Sequence, residues 1–248
     1  MLEEFVDSYS KDLILACFGD EAELYAEDFK ITESFYRKYS TTLLENIDII
    51  RNKTIVDVGS STGVWSVLMC MLGAKSVVSI EPRAKFSNGL KKFTNKHNFP
   101  ITCVTDFHTA TSDYIVDTVV MMQIADLIPD IVTFLAKLKS NTDKILLNTE
   151  LHSHVPNDQI EVVLRPNVSL RHGFNFSELD TVDSVTGNQT DIFKAIEDPD
   201  NGLYLMYNYG ANYFQTIARY LGYTVEKNYT TEYDEKTNSS IYVINLKS

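Results

Sequence analysis

The chain has 248 residues, of which 44% are hydrophobic and 23% are charged. This size and composition fit one globular domain with an embellishment and exclude a mostly disordered chain. The formal net charge of −12 opposes binding to the phosphate backbone of a nucleic acid, although it does not exclude a local basic groove. The one obvious basic cluster, Lys91, Lys92, Lys96 and His97, we interpret as a solvated helix face.

The cysteines and the first residues predict a cellular compartment. Cys17, Cys70 and Cys103 lie in apolar surroundings and form no CxxC pair, which predicts buried thiols in a reducing compartment and no zinc site. The opening MLEEFVDSYS lacks the basic start and apolar stretch of a signal peptide. No apolar run approaches the roughly 20 residues that span a bilayer. We therefore expect a cytoplasmic protein without a membrane segment.

The first half of the chain changes its pattern at Thr54. Residues 1–50 carry apolar side chains at helical spacing and predict a helical lead-in. Strand-like apolar runs then alternate with helical stretches. The predicted strands are Thr54–Val58, Ser76–Ile80, Ile101–Val104, Thr118–Met122 and Lys144–Thr149, and the predicted helices are Gly63–Leu72, Lys85–Lys96 and Pro129–Leu138. This alternation of continuous apolar strands with helices indicates an α/β fold, a doubly wound parallel sheet covered on both faces.

The second half of the chain breaks the alternation. Residues 152–207 are polar, contain three prolines and show weak periodicity, so we expect a lid-like insertion over the strand ends rather than a long loop. Ala211–Leu221 is predicted to be a helix that ends at Gly222. The strands Thr224–Tyr229 and Ser240–Asn245 follow and predict an antiparallel hairpin. The chain therefore divides into a lead-in at 1–50 and a main domain at 51–248.

The segment TIVDVGSSTGVW, residues 54–65, passes from a strand into a helix through Gly59 and Gly63. A glycine turn in this context lets the backbone approach a ligand and offers the free N–H groups of a helix N-terminus. Glu81 ends the next strand, about 20 residues after the turn, where a carboxylate can accept hydrogen bonds from a ribose diol. The turn and the acid together predict a nucleoside site; a plain strand–turn–helix connection is the alternative.

Asp57 precedes the turn and narrows the choice of nucleoside. A dinucleotide carries a pyrophosphate, and its turn is normally G-x-G-x-x-G, whereas the glycines here are spaced G-x-x-x-G. A carboxylate beside the turn repels a pyrophosphate and suits a positive charge, such as the amino group of a methionine moiety. After the third strand, Asp106 and the backbone of Phe107 could reach an adenine amino group, or Asp106 could be a simple loop aspartate.

The segment VDVGSSTGVWS, followed by VVSIEP, resembles the class I S-adenosylmethionine (SAM)-dependent methyltransferases. The resemblance covers residues 49–149 in motif detail, and the final helix and hairpin match the family's antiparallel ending. It implies a seven-stranded sheet of order 3-2-1-4-5-7-6 with strand 7 antiparallel, and SAM as the cofactor. It also implies cofactor contacts for the turn, its flanking acids and the strand ends: Asp57, Gly59, Ser60, Ser61, Thr62, Gly63, Glu81, Pro82, Asp106, Phe107 and Gln123.

The sequence departs from the family pattern in two places. Ser61 stands where a second glycine is frequent, so the packing beside the cofactor is expected to differ. The fourth-strand region lacks the [DN]-P-P-[YF] sequence of methylases that act on the amino nitrogens of nucleobases. This second departure argues against methylation of adenine or cytosine amino groups.

The residues after the fifth strand are the candidates for acid–base chemistry. If residues 148–154 are extended, Asn148, Glu150, His152 and His154 share one face at the carboxyl end of the sheet. A histidine beside a carboxylate makes a general base near neutral pH, and we predict Glu150, His152 and His154 as the catalytic group. A divalent-metal site and a pair of plain surface histidines are the alternatives, and we predict no metal.

The sequence thus predicts an enzyme that transfers a methyl group from SAM to a small-molecule acceptor, at oxygen, beneath the 152–207 insertion. Two alternatives stay open: an RNA-modifying methyltransferase, and a module that binds SAM or a partner without turnover. Nucleic acid is disfavoured as a partner by the acidic charge but is not excluded. The acceptor, the oligomeric state and the pathway do not follow from the sequence.

Overall fold

The computed structural model describes residues 9, 11–19, 40–106, 114–128, 130–151, 155–166, 203–232 and 238–246. Nine strands are found in this part of the chain: β1 (Thr54–Val58), β2 (Ser76–Ile80), β3 (Ile101–Val104), β4 (Val116–Met122), β5 (Thr142–Leu151), β6 (Ile160–Pro166), β7 (Leu203–Tyr209), β8 (Thr224–Glu232) and β9 (Asn238–Asn245). The labelled helices are α1 (Lys11–Phe18), α2 (Val64–Met71), α3 (Ala84–His97), α4 (Ile131–Leu138) and α5 (Tyr213–Tyr220).

The first five strands form a parallel sheet in the order β3-β2-β1-β4-β5. β9 pairs with β5 in the antiparallel sense, and β8 pairs with β9 as a hairpin. When β6 and β7 are left aside, the strands counted along the chain have the order 3-2-1-4-5-7-6 with the seventh antiparallel. The predicted fold class and topology are therefore confirmed.

The strands begin and end close to where the sequence predicts. β1, β2 and β3 have the predicted bounds, whereas β4 begins earlier and β5 is longer at both ends. The prediction missed β6 and β7, which pair antiparallel with each other; β6 lies within the 152–207 insertion, and β7 runs two residues past its predicted end. This second hairpin joins the main sheet at one register pair, Leu151 with Tyr209. The prediction that the insertion is a lid stays a prediction, because residues 167–202 lie outside the described residues.

Buried side chains form a separate core on each face of the sheet. On one face, α1, α2 and α3 cover Ile55, Val120 and Leu146. On the other face, α4 and α5 cover Val119 and Ile145. Val119 and Val120 point to opposite faces because successive side chains of a strand alternate. Helices on both faces of a mostly parallel sheet are the arrangement that the strand–helix alternation predicts.

Local signals fix the start of α4 and the end of α3. Asp130 begins α4, and its side chain accepts a hydrogen bond from the backbone N–H of Thr133 at 3.0 Å. This contact satisfies one of the N–H groups that a helix start leaves free. α3 ends at Asn98, which adopts a left-handed conformation with φ of 57°.

The helices of the described part of the chain are all too short or too polar to cross a membrane.

Candidate functional site

The carboxyl ends of β1, β2 and β4 meet at one edge of the sheet, and the glycine turn crosses this edge. Gly59 follows β1 with φ of 71°, and a Cβ atom there would lie 2.5 Å from Cγ1 of Ile124. Both the positive φ and the close approach require glycine. Ser61 also has a positive φ, of 51°. The position where the resembled family often has a second glycine therefore keeps the left-handed backbone that glycine favours.

The turn is held against β2 by backbone and side-chain hydrogen bonds. The N–H groups of Gly59 and Ser60 both donate to the carbonyl of Ile80, at 2.9 and 3.1 Å. The hydroxyl of Ser79 donates to that of Ser60 at 2.6 Å, and both side chains are buried. Ser60 therefore faces the protein interior, and its side chain anchors the turn. Of the turn residues, Ser61 and Thr62 are partly exposed.

Asp57 is a buried carboxyl group one strand residue away from the turn. Its side chain is 1% exposed, and its Oδ2 accepts a hydrogen bond from the Ser66 hydroxyl at 2.6 Å. Its Oδ1 has no hydrogen-bond partner among the residues that the structure describes. Burial raises the pKa of Asp57 to about 7, the bond from Ser66 opposes that rise, and the charge of Glu81 adds to it. This carboxyl group is poised to ionise near neutral pH when a cation or donor approaches Oδ1.

Glu81 follows β2 and binds the turn from the opposite side. Its Oε2 accepts from the backbone N–H of Ser61 at 2.8 Å, and its Oε1 accepts from the backbone N–H of Arg83 at 3.0 Å. The Arg83 guanidinium forms a two-pronged ion pair with the same carboxylate: Nε lies 2.6 Å from Oε1, and Nη2 lies 3.1 Å from Oε2. The structure thus brings the predicted turn and the predicted ribose acid into direct contact.

Two amide side chains meet where β4 ends beside Asn148 of β5. Gln123 follows β4 with φ of 55°, a left-handed conformation that is uncommon for a residue other than glycine. Its side-chain amide donates to Oδ1 of Asn148, and its backbone N–H donates to the Asn148 carbonyl at 2.9 Å. Asn148 is fully buried, and its Nδ2 has no partner among the described residues. The pair places polar, uncharged groups at the carboxyl end of β4, next in sequence to Ile124, whose side chain approaches Gly59.

The second hairpin packs against the segment that follows β4. The Tyr209 hydroxyl, at the end of β7, donates to the carbonyl of Ala125 at 2.8 Å. Tyr209 is fully buried, and burial raises the pKa of its hydroxyl far above its ordinary value. Its ring stacks on that of Tyr213 with the centroids 5.0 Å apart. This tyrosine therefore fixes the β6–β7 hairpin against the ligand edge and has a structural contact of its own.

The remaining predicted residues divide between the edge of the sheet and undescribed parts of the chain. Pro82 is exposed after β2, and Asp106 is exposed after β3. Glu150 lies in β5, and the structure describes its backbone only. Phe107, His152 and His154 lie outside the described residues. Their predicted roles beside adenine and as a general base stay predictions, and so does that of Glu150.

Helix α1 contacts the outer side of the turn. The Cys17 thiol donates to the carbonyl of Thr62 at 3.8 Å. Gly89 on α3 makes this packing possible, since a Cβ atom there would lie 2.6 Å from Cα of Cys17. Asp12 at the other end of α1 accepts from Lys96 at 2.5 Å and contacts His97 at 2.9 Å. The lead-in therefore takes part in shaping the site.

Two residues of the site escaped the sequence prediction. Ser66 binds Asp57, and Arg83 pairs with Glu81. A signal existed for each of them: Ser66 is a polar residue within the apolar helix VWSVLMCM, and Arg83 is a cation two residues after the predicted ribose acid. In the part of the chain that the structure describes, no three His, Cys, Asp or Glu side chains are grouped to hold a metal ion.

Comparisons with known proteins agree on the fold. No protein-family model and no curated protein sequence matches the chain. An S-adenosylmethionine-dependent methyltransferase from Clostridium acetobutylicum ATCC 824 superposes with a TM-score of 0.59 at 10% identity, over 91% of this chain and 100% of that one. Magnesium protoporphyrin IX methyltransferase from Synechocystis PCC 6803, with bound S-adenosylhomocysteine (SAH), superposes with a TM-score of 0.56 at 13% identity, over 98% and 96%.

A third similar structure is the N-terminal domain of EvdMO1, crystallised in the presence of SAH and D-fucose. Its TM-score is 0.57 at 10% identity, over 84% of this chain and 82% of that one. At such low identities the likeness concerns the fold. The chain therefore has the class I, Rossmann-like methyltransferase fold, as its strand order indicates.

Proposed function

We propose that this chain is a SAM-dependent methyltransferase that methylates a small-molecule acceptor at oxygen. The observation that supports it most directly is the contact between Ser61 and Glu81, which joins the glycine turn to the acid at the end of β2. A nucleoside with its ribose on Glu81 lies against the backbone of the turn. The fold, which is shared with methyltransferases of known structure, agrees with this ligand.

The charge around the turn favours a methionine moiety over a pyrophosphate. Asp57 and Glu81 are both carboxylic acids, and each accepts a hydrogen bond from the segment 59–66. An ionised carboxylate at either position repels phosphate, and that of Asp57 attracts the ammonium group of a bound methionine moiety. The Oδ1 atom of Asp57, which lacks a partner among the described residues, supplies an acceptor for that group. The residues present therefore fit SAM.

Methyl transfer from SAM does not require the protein to supply a nucleophile of its own. SAM supplies a methyl group on a sulfonium, an excellent leaving group, so the chain's own residues mainly orient the acceptor and remove its proton. Gln123 and Asn148 lie at the carboxyl end of β4 and are the amide groups that we expect to orient an oxygen-bearing acceptor. Glu150, His152 and His154 remain the predicted base. The net charge of −12 favours a small acceptor over RNA.

Calorimetry tests the cofactor assignment. We expect SAM and SAH to bind wild type with micromolar affinity and Glu81→Ala to lose most of that affinity, because the buried carboxylate is gone. Glu226→Ala is the matched control, since Glu226 is an acid that pairs with Lys144 on the surface of the sheet. Failure of wild type to bind either ligand would end the methyltransferase proposal.

Further experiments test the predicted base and the kind of methyl acceptor. Loss of methyl transfer without loss of SAM affinity in His152→Ala or His154→Ala would support the base, and unchanged activity would remove it. Nucleic acid that copurifies with the protein would favour the RNA enzyme. Binding of SAM with no transfer to any acceptor tried would favour a module without turnover.

A further inference from the structure

The Glu81 carboxylate has all its acceptor positions in use within the chain. A carboxylate offers about four lone-pair positions to hydrogen-bond donors. Here two donors are the backbone N–H groups of Ser61 and Arg83, and the other two are Nε and Nη2 of the Arg83 guanidinium. The side chain of Glu81 is 4% exposed, so the protein supplies nearly all of its solvation.

A ribose diol needs two of these same positions. This step rests on the proposed function, in which Glu81 accepts hydrogen bonds from the two ribose hydroxyls of SAM. The donor at Ser61 is fixed, because the turn is bonded to the carbonyl of Ile80, and the N–H of Arg83 belongs to the chain entering α3. Of the four donors, only the two guanidinium nitrogens, Nε and Nη2, belong to a flexible side chain. That side chain is 34% exposed and can move into solvent.

We propose that Arg83 gates the ribose subsite: its guanidinium occupies Glu81 until the ribose of the cofactor displaces it. The displaced guanidinium has a second contact in the chain, since its central carbon lies 4.4 Å from the centroid of the Phe86 ring. A cation can keep this contact with an aromatic face after the ion pair opens. Arg83 is thus a specificity-determining residue that favours ligands with a vicinal diol able to replace two hydrogen bonds.

Arg83 could either orient Glu81 or compete with the ribose, and the two roles predict opposite changes in SAH affinity when Arg83 is removed. If Arg83 served only to orient Glu81, its removal would weaken cofactor binding. If Arg83 competes with the ribose, its removal strengthens binding, because the buried carboxylate of the free protein then lacks two donors that the ligand supplies. The sign of the change in SAH affinity therefore separates the two roles.

SAH titrations of wild type, Arg83→Met and Lys85→Met provide the measurement. Lys85 is the matched control: it lies two residues after Arg83 in the first turn of α3, its loss changes the net charge equally, and its Nζ lies over the Phe18 ring at 5.1 Å. We expect Arg83→Met to lower the Kd for SAH about fivefold, the worth of a partly exposed ion pair. Lys85→Met is expected to leave the Kd unchanged.

A second pair of probes isolates the ribose. Adenosine and 2′,3′-dideoxyadenosine share the base, and only adenosine has the diol. Arg83→Met is expected to tighten adenosine binding and to leave 2′,3′-dideoxyadenosine binding unchanged. Equal tightening of both probes would mean that Arg83 acts on the base or through general charge, and it would overturn the gate.

Each result of the SAH titration decides the matter. A Kd that is unchanged or raised in Arg83→Met overturns the gate while the SAM assignment stands. A Kd for SAH that is lower in Arg83→Met than in wild type supports both. Absence of SAH binding in all three proteins overturns the proposed function, and the gate with it. Should Arg83→Met fail to fold, Arg83→Lys keeps the charge but cannot hold both oxygens as a fork, and its Kd is expected to fall below that of wild type.

Discussion

The hydroxyl of Ser66 donates to Oδ2 of Asp57 at 2.6 Å, so the helix after the glycine turn is bonded to the strand before it. The bond spans the turn from the inside, where both side chains are buried. It holds the two ends of the turn at a fixed separation while the turn's own backbone stays available to a ligand. The rigidity of the site therefore depends on a side chain that faces away from the ligand edge.

Ser66→Ala is expected to destabilise the protein by about 1–3 kcal/mol, because it removes the hydroxyl donor from the buried carboxyl group of Asp57. Urea unfolding of wild type and variant measures the loss. Ser140→Ala is the control, since the Ser140 hydroxyl is exposed and bonds only to the nearby carbonyl of Lys137. Equal stability of Ser66→Ala and wild type would show that the bond contributes nothing.

The stability of the protein is expected to fall as the pH rises from about 4 to about 7. Burial raises the pKa of Asp57 from 3.8 to about 7, so in this range the folded state holds a proton that the unfolded chain has lost. The contribution is fully present below pH 4, and the loss amounts to on the order of 4 kcal/mol by pH 7. Urea unfolding at several pH values, with Asp57→Asn as reference, isolates this group. Parallel pH curves for the two proteins would contradict the prediction.

Cofactor affinity is expected to rise over the same interval, under the proposed function. An ammonium group near Oδ1 favours the ionised form of Asp57, which becomes more populated as the pH passes about 7. SAH titrations at pH 6 and pH 8 measure the change. Asp57→Asn cannot ionise and should bind SAH with the same affinity at both pH values. A wild-type affinity that is independent of pH would separate Asp57 from the ligand.

Tyr209→Phe is expected to lower the free energy of unfolding by about 1–2 kcal/mol, because the buried carbonyl of Ala125 loses its donor. Tyr220→Phe removes the same atom from a side chain that is 80% exposed and should have no measurable effect. Thermal unfolding of the three proteins provides the comparison. Equal losses in both variants would mean that the hydroxyl of Tyr209 does not hold the hairpin in place.

Gly89→Ala is expected to detach α1 and to cost about 1–3 kcal/mol of stability. The added Cβ atom would meet backbone atoms, Cα of Cys17 at 2.6 Å and the carbonyl oxygen of Ala16 at 2.8 Å, which cannot rotate away. Faster thiol labelling of Cys17, located by peptide mapping, reports the detachment directly. Asn88→Ala, at an exposed neighbouring position, should label at the wild-type rate.

The sequence predicts the central sheet well because its strands are buried on both faces. β1, β2 and β3 read as short runs of β-branched and apolar residues between turns, and few other structures suit such runs. β6 and β7 could not be predicted in the same way. They pair with each other, although the segment 167–202 separates them along the chain. The β7 sequence LYLMYNY is equally typical of an aromatic cluster, so it does not by itself indicate a strand.

The sequence predicts which positions form the site, but it does not predict the side-chain contacts between them. The order of the glycine turn and Glu81 along the chain follows from the parallel sheet, so their meeting was foreseen. That Arg83 folds back on Glu81 depends on a side-chain conformation, and that Ser66 reaches Asp57 depends on the helix phase after the turn. Spacing alone carries neither kind of information.

The position of β9 has a consequence for how the chain is made. β9 follows β8 in sequence but lies between β5 and β8, with eight register pairs to β5. Until residues 238–245 have left the ribosome, β5 and β8 both present open backbone edges of the kind that recruits foreign strands. Nascent chains that stall before β9 has emerged should therefore depend on chaperones and be prone to aggregation.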